Sequence, residues 1–318
     1  MRVFGRIDPY IAAIFGCVAL ASIVPVRGSW ATALDYVVDG AIALLFFLYG
    51  ARLSPQDAWE GARHVRLHAL VLSFTYVLFP LLGLATQLLV PSVLTPELYI
   101  GVVFLCALPS TVQSSIAFTS IARGNVAAAL CAASASNLLG VIVTPLLVGL
   151  LLQKQGIAFS PTSIHKLVLQ LLLPFFLGQL LRPRILGFVT RHKQLLSYVD
   201  RGSILLVVYS AFSDGVVAGI WQQISPSSLT LLLLVTSTLL ALVLGLTTLI
   251  SRRLGFSKED EITIVMCGSK KSLATGVPIA SVLFSASTVG LTVLPLMIFH
   301  QVQLVVCAWL ARRYARRP

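Results

Sequence analysis

Ten stretches of the chain are apolar over the length a bilayer requires, with short polar or Gly/Pro-bearing turns between them. They are residues 8–26, 30–51, 67–91, 97–121, 125–153, 165–187, 195–221, 227–250, 259–286 and 290–311. About 20 apolar residues in a helix cross a hydrocarbon core about 30 Å thick. The pattern predicts an all-α membrane protein of ten transmembrane helices, with no linker long enough for a soluble domain. The apolar run from residue 8 to Val26 is long for a signal peptide and further spans follow at once, so a retained first helix is expected.

Two of these stretches are interrupted at their centres. The ninth breaks at Gly268-Ser269-Lys270-Lys271-Ser272 and resumes through Pro278. Each lysine costs roughly 2.5–3.5 kcal/mol on insertion scales, so the pair persists only against protein, water or an anion. The fourth breaks at Pro109, which removes a backbone donor, and Ser110, Thr111, Gln113, Ser114 and Ser115 surround the break with polar groups. Irregular backbone at membrane depth is tolerated where it is buried in protein or lines a cavity. Snorkelling does not explain the lysines, because neither is near a span end. A half-helix beginning near Ser272 directs its positive end into the same space, and with the ammonium groups favours an anionic ligand. Adjacent helical residues point about 100° apart, so one lysine is expected to face a cavity and the other to pack against the core.

Matched interruptions suggest a duplicated chain. Asp39 to Leu45 lines up with Arg201 to Val207, and nearly the same spacing sets Cys106 to Ser110 against Cys267 to Lys271. Residues 1–155 and 156–318 then form two five-helix repeats. Five is odd, so the second enters the membrane inverted and the breaks in the fourth and ninth helices meet near the midplane.

Composition agrees with a membrane reading: 57% of the residues are hydrophobic, 11% are charged, and mean hydropathy is +0.93. The net charge of +12 comes from short basic runs between spans, so nucleic acid is not an expected partner. With the N-terminus inside, 18 lysines and arginines fall on the cytoplasmic side, 3 outside, and Lys270 and Lys271 between. That asymmetry predicts a multi-pass protein of the cell membrane with both termini cytoplasmic. The five cysteines lie within spans and show no metal or disulfide spacing, so no metal or other cofactor is expected. The five histidines are scattered along the chain, without HExxH or a Ser/His dyad, and the chain does not read as an enzyme.

Further polar groups inside spans are candidates by position. Asp39 and Asp214 each precede a glycine that would allow close helix approach, and serve as proton or counter-ion candidates. Asp39 is equally compatible with a partly wet structural role. Asn137, with Ser134 and Ser136, is placed to line the cavity, or to bond between helices without a substrate role.

These residues also carry a resemblance. Cys106-Ala107-Leu108-Pro109 through Ser114-Ser115, then Ala122-Arg123-Gly124-Asn125-Val126-Ala127, then Thr144-Pro145, resembles the fourth and fifth helices of the bile acid:sodium symporter family. Gly268 to Pro278 resembles its divergent branch, which joins bacterial transporters to a vertebrate member without bile-acid activity. The resemblance implies a core of residues 67–153 and 227–311, crossing at the breaks, and a panel of residues 8–51 and 165–221 that moves against it. It also exposes departures. Val265 stands for the family's sodium-binding glutamate, Ala129 and Ala133 for its sodium-ligating hydroxyls, and Thr75 for its third-helix glutamine. Too few oxygens remain for Na⁺, and a lysine ammonium can take the cation's place.

The expected function is secondary active transport of a small organic anion by alternating access, without the usual sodium sites. The expected binding residues are Pro109, Ser110, Thr111, Gln113, Ser114, Ser115, Asn137, Gly268, Ser269, Lys270, Lys271 and Ser272. The alternative is a membrane regulatory or ion-handling protein that moves no organic solute.

Overall fold

The computed structural model describes residues 9–52, 64–153, 168–219, 222 and 224–316, and contains only helices and turns among them. In chain order the helices are α1 (Pro9–Ile23), α2 (Ser29–Arg52), α3 (Val65–Leu89), α4 (Pro96–Ala107), α5 (Val112–Ile121) and α6 (Val126–Leu152). Then come α7 (Val168–Arg191), α8 (Lys193–Val217), α9 (Pro226–Arg253), α10 (Lys258–Gly268), α11 (Leu273–Leu283) and α12 (Ala286–Ala315). Seven are long and apolar enough to cross a membrane, and α4 with α5, bent by 63° at their break, make an eighth candidate span. The helices α1, α10 and α11 are shorter, so the described residues carry seven or eight candidate spans where the hydropathy pattern predicted ten. Arg2, Arg6, Arg63, Lys154, Lys166 and Arg317, used to orient the chain, lie outside the described residues.

Local chemistry marks the starts of several helices. Thr95 Oγ1 accepts from the Leu98 N–H and Asn125 Oδ1 from the Ala128 N–H. Ser225 Oγ accepts from the Ser228 N–H and Ser257 Oγ from the Asp260 N–H. Each hydroxyl or amide satisfies one amide that an initial helical turn leaves orphaned. Pro96 and Pro226 add a fixed φ where no intrahelical donor is needed.

The chain folds into two compact units. Unit 1 gathers Met1–Leu53, Ser160–Ile224 and Val277–Gly290. Its helices α2 and α7 are in close contact at two glycines. A Cβ on Gly50 would lie 2.0 Å from the Phe175 carbonyl oxygen, and one on Gly178 would lie 2.1 Å from that of Phe47. The sequence had suggested Gly40, beside Asp39, for such an approach, but nothing lies within 4 Å of a Cβ built there. Gly40 is exposed, and periodicity alone does not say which face of an apolar helix meets a neighbour. Gly178→Val should therefore force α2 and α7 apart and cost about 3 kcal/mol or more, since the obstacle is backbone. A thermal melt of the purified variant checks this, with Gly40→Val close to the parent.

Unit 2 gathers Ser54–Phe159, Ser225–Gly276 and Leu291–Pro318, and contains both breaks. One apolar cluster joins Leu67, Val71 and Phe74 of α3 to Ala128, Ala129 and Ala132 of α6 and to Ile264 and Cys267 of α10. The Arg123-Gly124-Asn125 turn secures the entry to α6. Arg123 adopts φ 60°, and the Asn125 N–H bonds the Glu259 carbonyl while its Nδ2 donates to Asp260 Oδ1. Thr263 Oγ1 donates in turn to the Asn125 carbonyl. The turn thus clamps the start of α10.

Candidate functional site

The two breaks, residues 108–111 and 269–272, are stitched together inside unit 2. A broken helix exposes carbonyls at one end and amides at the other, and in a dry interior each needs a partner. The Ser272 N–H donates to the Pro109 carbonyl (2.9 Å), and Thr111 Oγ1 donates to the Lys271 carbonyl (2.9 Å). Ser110 Oγ bonds the Cys267 carbonyl (2.6 Å) and Ser115 Oγ that of Met266 (3.1 Å).

Neighbouring helices supply the remaining partners. From α6, Ser136 Oγ accepts from the Ser110 N–H, Asn137 Nδ2 donates to the Ser110 carbonyl, and Thr144 Oγ1 donates to that of Ala107. Asn137 Oδ1 accepts from Thr275 Oγ1 of α11, so this one amide bridges both interruptions. From α12, Gln303 brackets Lys271, with Oε1 accepting from its N–H (2.9 Å) and Nε2 donating to its carbonyl (3.0 Å). Gly140 makes room for the first break, since a Cβ there would lie 2.8 Å from the Pro109 ring.

Both lysine side chains are fully buried. Their surroundings differ. Lys271 Nζ donates to three carbonyls, of Thr75 (2.9 Å), Cys106 (2.8 Å) and Leu108 (2.7 Å), and lies over the Phe79 ring 4.1 Å from its centroid. An ammonium has three donors, so this one has none left. Lys270 Nζ donates to the Ser114 carbonyl (2.8 Å) and lies 4.2 Å from the Phe118 centroid, which leaves donor capacity. Ser114 Oγ beside it is buried without a hydrogen-bond partner.

Eleven of the twelve expected binding residues lie in or directly against the crossed breaks, but most of their polar atoms are occupied there. Ser269 Oγ returns to the Val265 carbonyl, Ser272 Oγ bonds Thr275, and Gly268 is buried against Phe74. Gln113 stands apart, exposed on the first turn of α5. Asp39 and Asp214 belong to unit 1; Asp39 is exposed, Asp214 half-buried, and neither forms an ion pair among the described residues. The ion pairs lie elsewhere: Arg52 with Asp200 in unit 1, and Arg252 and Lys258 with the buried Glu261 in unit 2.

Gln303, Thr144 and the Thr75 carbonyl were not anticipated as parts of this arrangement. An uncharged amide inside an apolar helix was a signal available for Gln303. For Thr75 the signal is Pro80, which has no N–H to offer a carbonyl one turn back. Among the described residues no group of three or more His, Cys, Asp or Glu could hold a metal ion.

The family model of the SBF-like CPA transporter family matches residues 8–316. The protein PA2026 of Pseudomonas aeruginosa is 57% identical, covering 98% of this chain and 93% of its own. An Escherichia coli protein named "Putative symporter YfeH" is 51% identical, covering 100% and 96%. The zebrafish sodium/bile acid cotransporter 7 is 28% identical over 84% of this chain and 80% of its own.

Proposed function

Because the chain belongs to the SBF-like CPA transporter family, we propose that it is a secondary transporter that moves a small organic anion by alternating access, without Na⁺. The family and the apolar helices make it a multi-pass membrane protein of a transporter family. The anion proposal is carried by the Lys270 ammonium: buried between the breaks, with one carbonyl, one ring face and unspent donors. Beside it the unpartnered Ser114 hydroxyl can donate to the same anion. Charge-assisted bonds of this kind are about twice as strong as neutral ones. The remaining expected binding residues hold the two breaks in register around that charge.

Sodium independence is supported by what surrounds the family's cation-binding positions. Ala129 packs in an apolar cluster with Phe74 and Cys267, while Ala133 and Val265 are fully buried and offer no side-chain oxygen. A hard cation needs several oxygens. The proposed architecture is a ten-span plan of two inverted repeats in the cell membrane, with a panel moving against a core and both termini cytoplasmic. Proton coupling through Asp39 or Asp214, or plain exchange, supplies the driving force. The regulatory alternative is not favoured, since relatives carry the names of a symporter and a cotransporter, as expected of a non-enzyme.

Uptake by proteoliposomes tests the reading. Organic anions, and not organic cations, should enter saturably, at a rate unchanged when Na⁺ is replaced by choline or K⁺ at constant ionic strength. A steep, saturable Na⁺ requirement would show that other oxygens rebuild the site.

A further inference from the structure

Three carbonyls converge on the Lys271 ammonium, and the sequence explains why at least two are free to do so. In an α-helix the Thr75 carbonyl would accept from Phe79. Here residues 74–78 form a π-turn, and the Phe79 N–H is directed to the Phe74 carbonyl instead. The next residue, Pro80, has no N–H to offer. The Cys106 carbonyl is freed in the same way: Pro109 lacks a donor, and the Ser110 N–H is taken by Ser136 Oγ. The Leu108 carbonyl lies in the break itself, past the end of α4. All three belong to unit 2, and Lys271 is fully buried.

We infer that the carbonyls of Thr75, Cys106 and Leu108, capped by the Phe79 ring, are a main-chain site for a monovalent cation, and that Lys271 fills it permanently with a tethered one. The site rests on the transport reading for its consequence, a carrier with its cation built in, but its geometry stands apart from any substrate. Carbonyl dipoles that replace a hydration shell are a recurring way to hold such ions. The 2.7–2.9 Å spacing suits an ammonium and exceeds the roughly 2.0–2.6 Å of oxygen-bound Mg²⁺ and Ca²⁺. Without a carboxylate among these ligands, the site also favours single over double charge. Once the tether is removed, the carbonyls should accept a free ion of similar size.

The test uses the full chain in detergent, produced and purified in ammonium chloride, then exchanged into choline, lithium, sodium, potassium, ammonium or methylammonium chloride at matched ionic strength. In wild type the melting temperature should be the same in all six salts. In Lys271→Ala it should rise by about 3–5 °C at a cation concentration tenfold above Kd, most with ammonium, methylammonium or potassium. Lys271→Met fills the space with an apolar stem and should gain nothing, and Lys270→Ala should be equally indifferent. A cation-specific shift in wild type overturns the inference, because the site would then not be occupied. So does a folded Lys271→Ala that ignores every cation, or one not recovered folded even in ammonium. An equal shift in Lys271→Met also overturns it, by locating the response elsewhere. No substrate enters these melts, so failed uptake and a failed cation site are told apart.

Discussion

Lys270→Met should all but abolish uptake and leave the protein as heat-stable as the parent or slightly more so. Methionine keeps the length and apolar stem of lysine, and its thioether sits favourably near the Phe118 ring. Only the ammonium is lost. Removing a midplane charge relieves roughly 2.5–3.5 kcal/mol, against one charged hydrogen bond of about 1.5–3 kcal/mol and a cation–π contact of about 0.5–2 kcal/mol. These opposing contributions nearly cancel. The Ser114 carbonyl is not orphaned by the change, because it lies inside α5, where the next turn supplies a helical donor. Transport has no such compensation. An anion buried without its counter-charge loses about 2–5 kcal/mol, or between thirty- and several thousand-fold in initial uptake rate. Wild-type uptake by a Lys270→Met protein would reduce the lysine to packing and remove the proposed basis for anion recognition.

The same substitution one residue further on should have the opposite effect on stability. Lys271→Met should lower the melting temperature by on the order of 10 °C, because three carbonyls lose their partner together. Each buried unsatisfied group costs about 1–3 kcal/mol, which exceeds the relief from removing the charge once all three are counted. The Thr75 and Cys106 carbonyls have no helical donor to return to: the Phe79 N–H is held by the Phe74 carbonyl and the Ser110 N–H by Ser136 Oγ, and Pro80 and Pro109 have none to offer. Gln303 still brackets the backbone of residue 271, so the break keeps its course while its polar interior is left open. Chemical or thermal denaturation of the two methionine variants side by side checks the contrast. Equal stabilities would mean that the three carbonyls find other donors.

The apolar segments, both interruptions and the membrane class were legible in the chain, because each depends on residues close together in sequence. A proline removes its own amide, and a lysine is costly in lipid whatever its neighbours are. The cluster of binding candidates followed from the same local chemistry. The roles of the two lysines did not. Lys271 meets a carbonyl 196 residues away, and no periodicity relates a position on α3 to one beyond α10. Its adjacency to Lys270 predicted two directions in space but not that both would end in a buried interior. The exposure of Asp39 was hidden for a similar reason: a carboxylate inside an apolar stretch has the same sequence signature whether its face is packed or exposed. Gln303 shows the converse, a single polar residue whose importance appears only where its two-sided amide meets a backbone that lost its helical partners. Sequence alone determined where the helices must break, since that is set by missing donors and misplaced charges. Which atoms repair each break was decided by tertiary structure, because orphaned carbonyls and amides are satisfied by whatever the fold brings within hydrogen-bond reach.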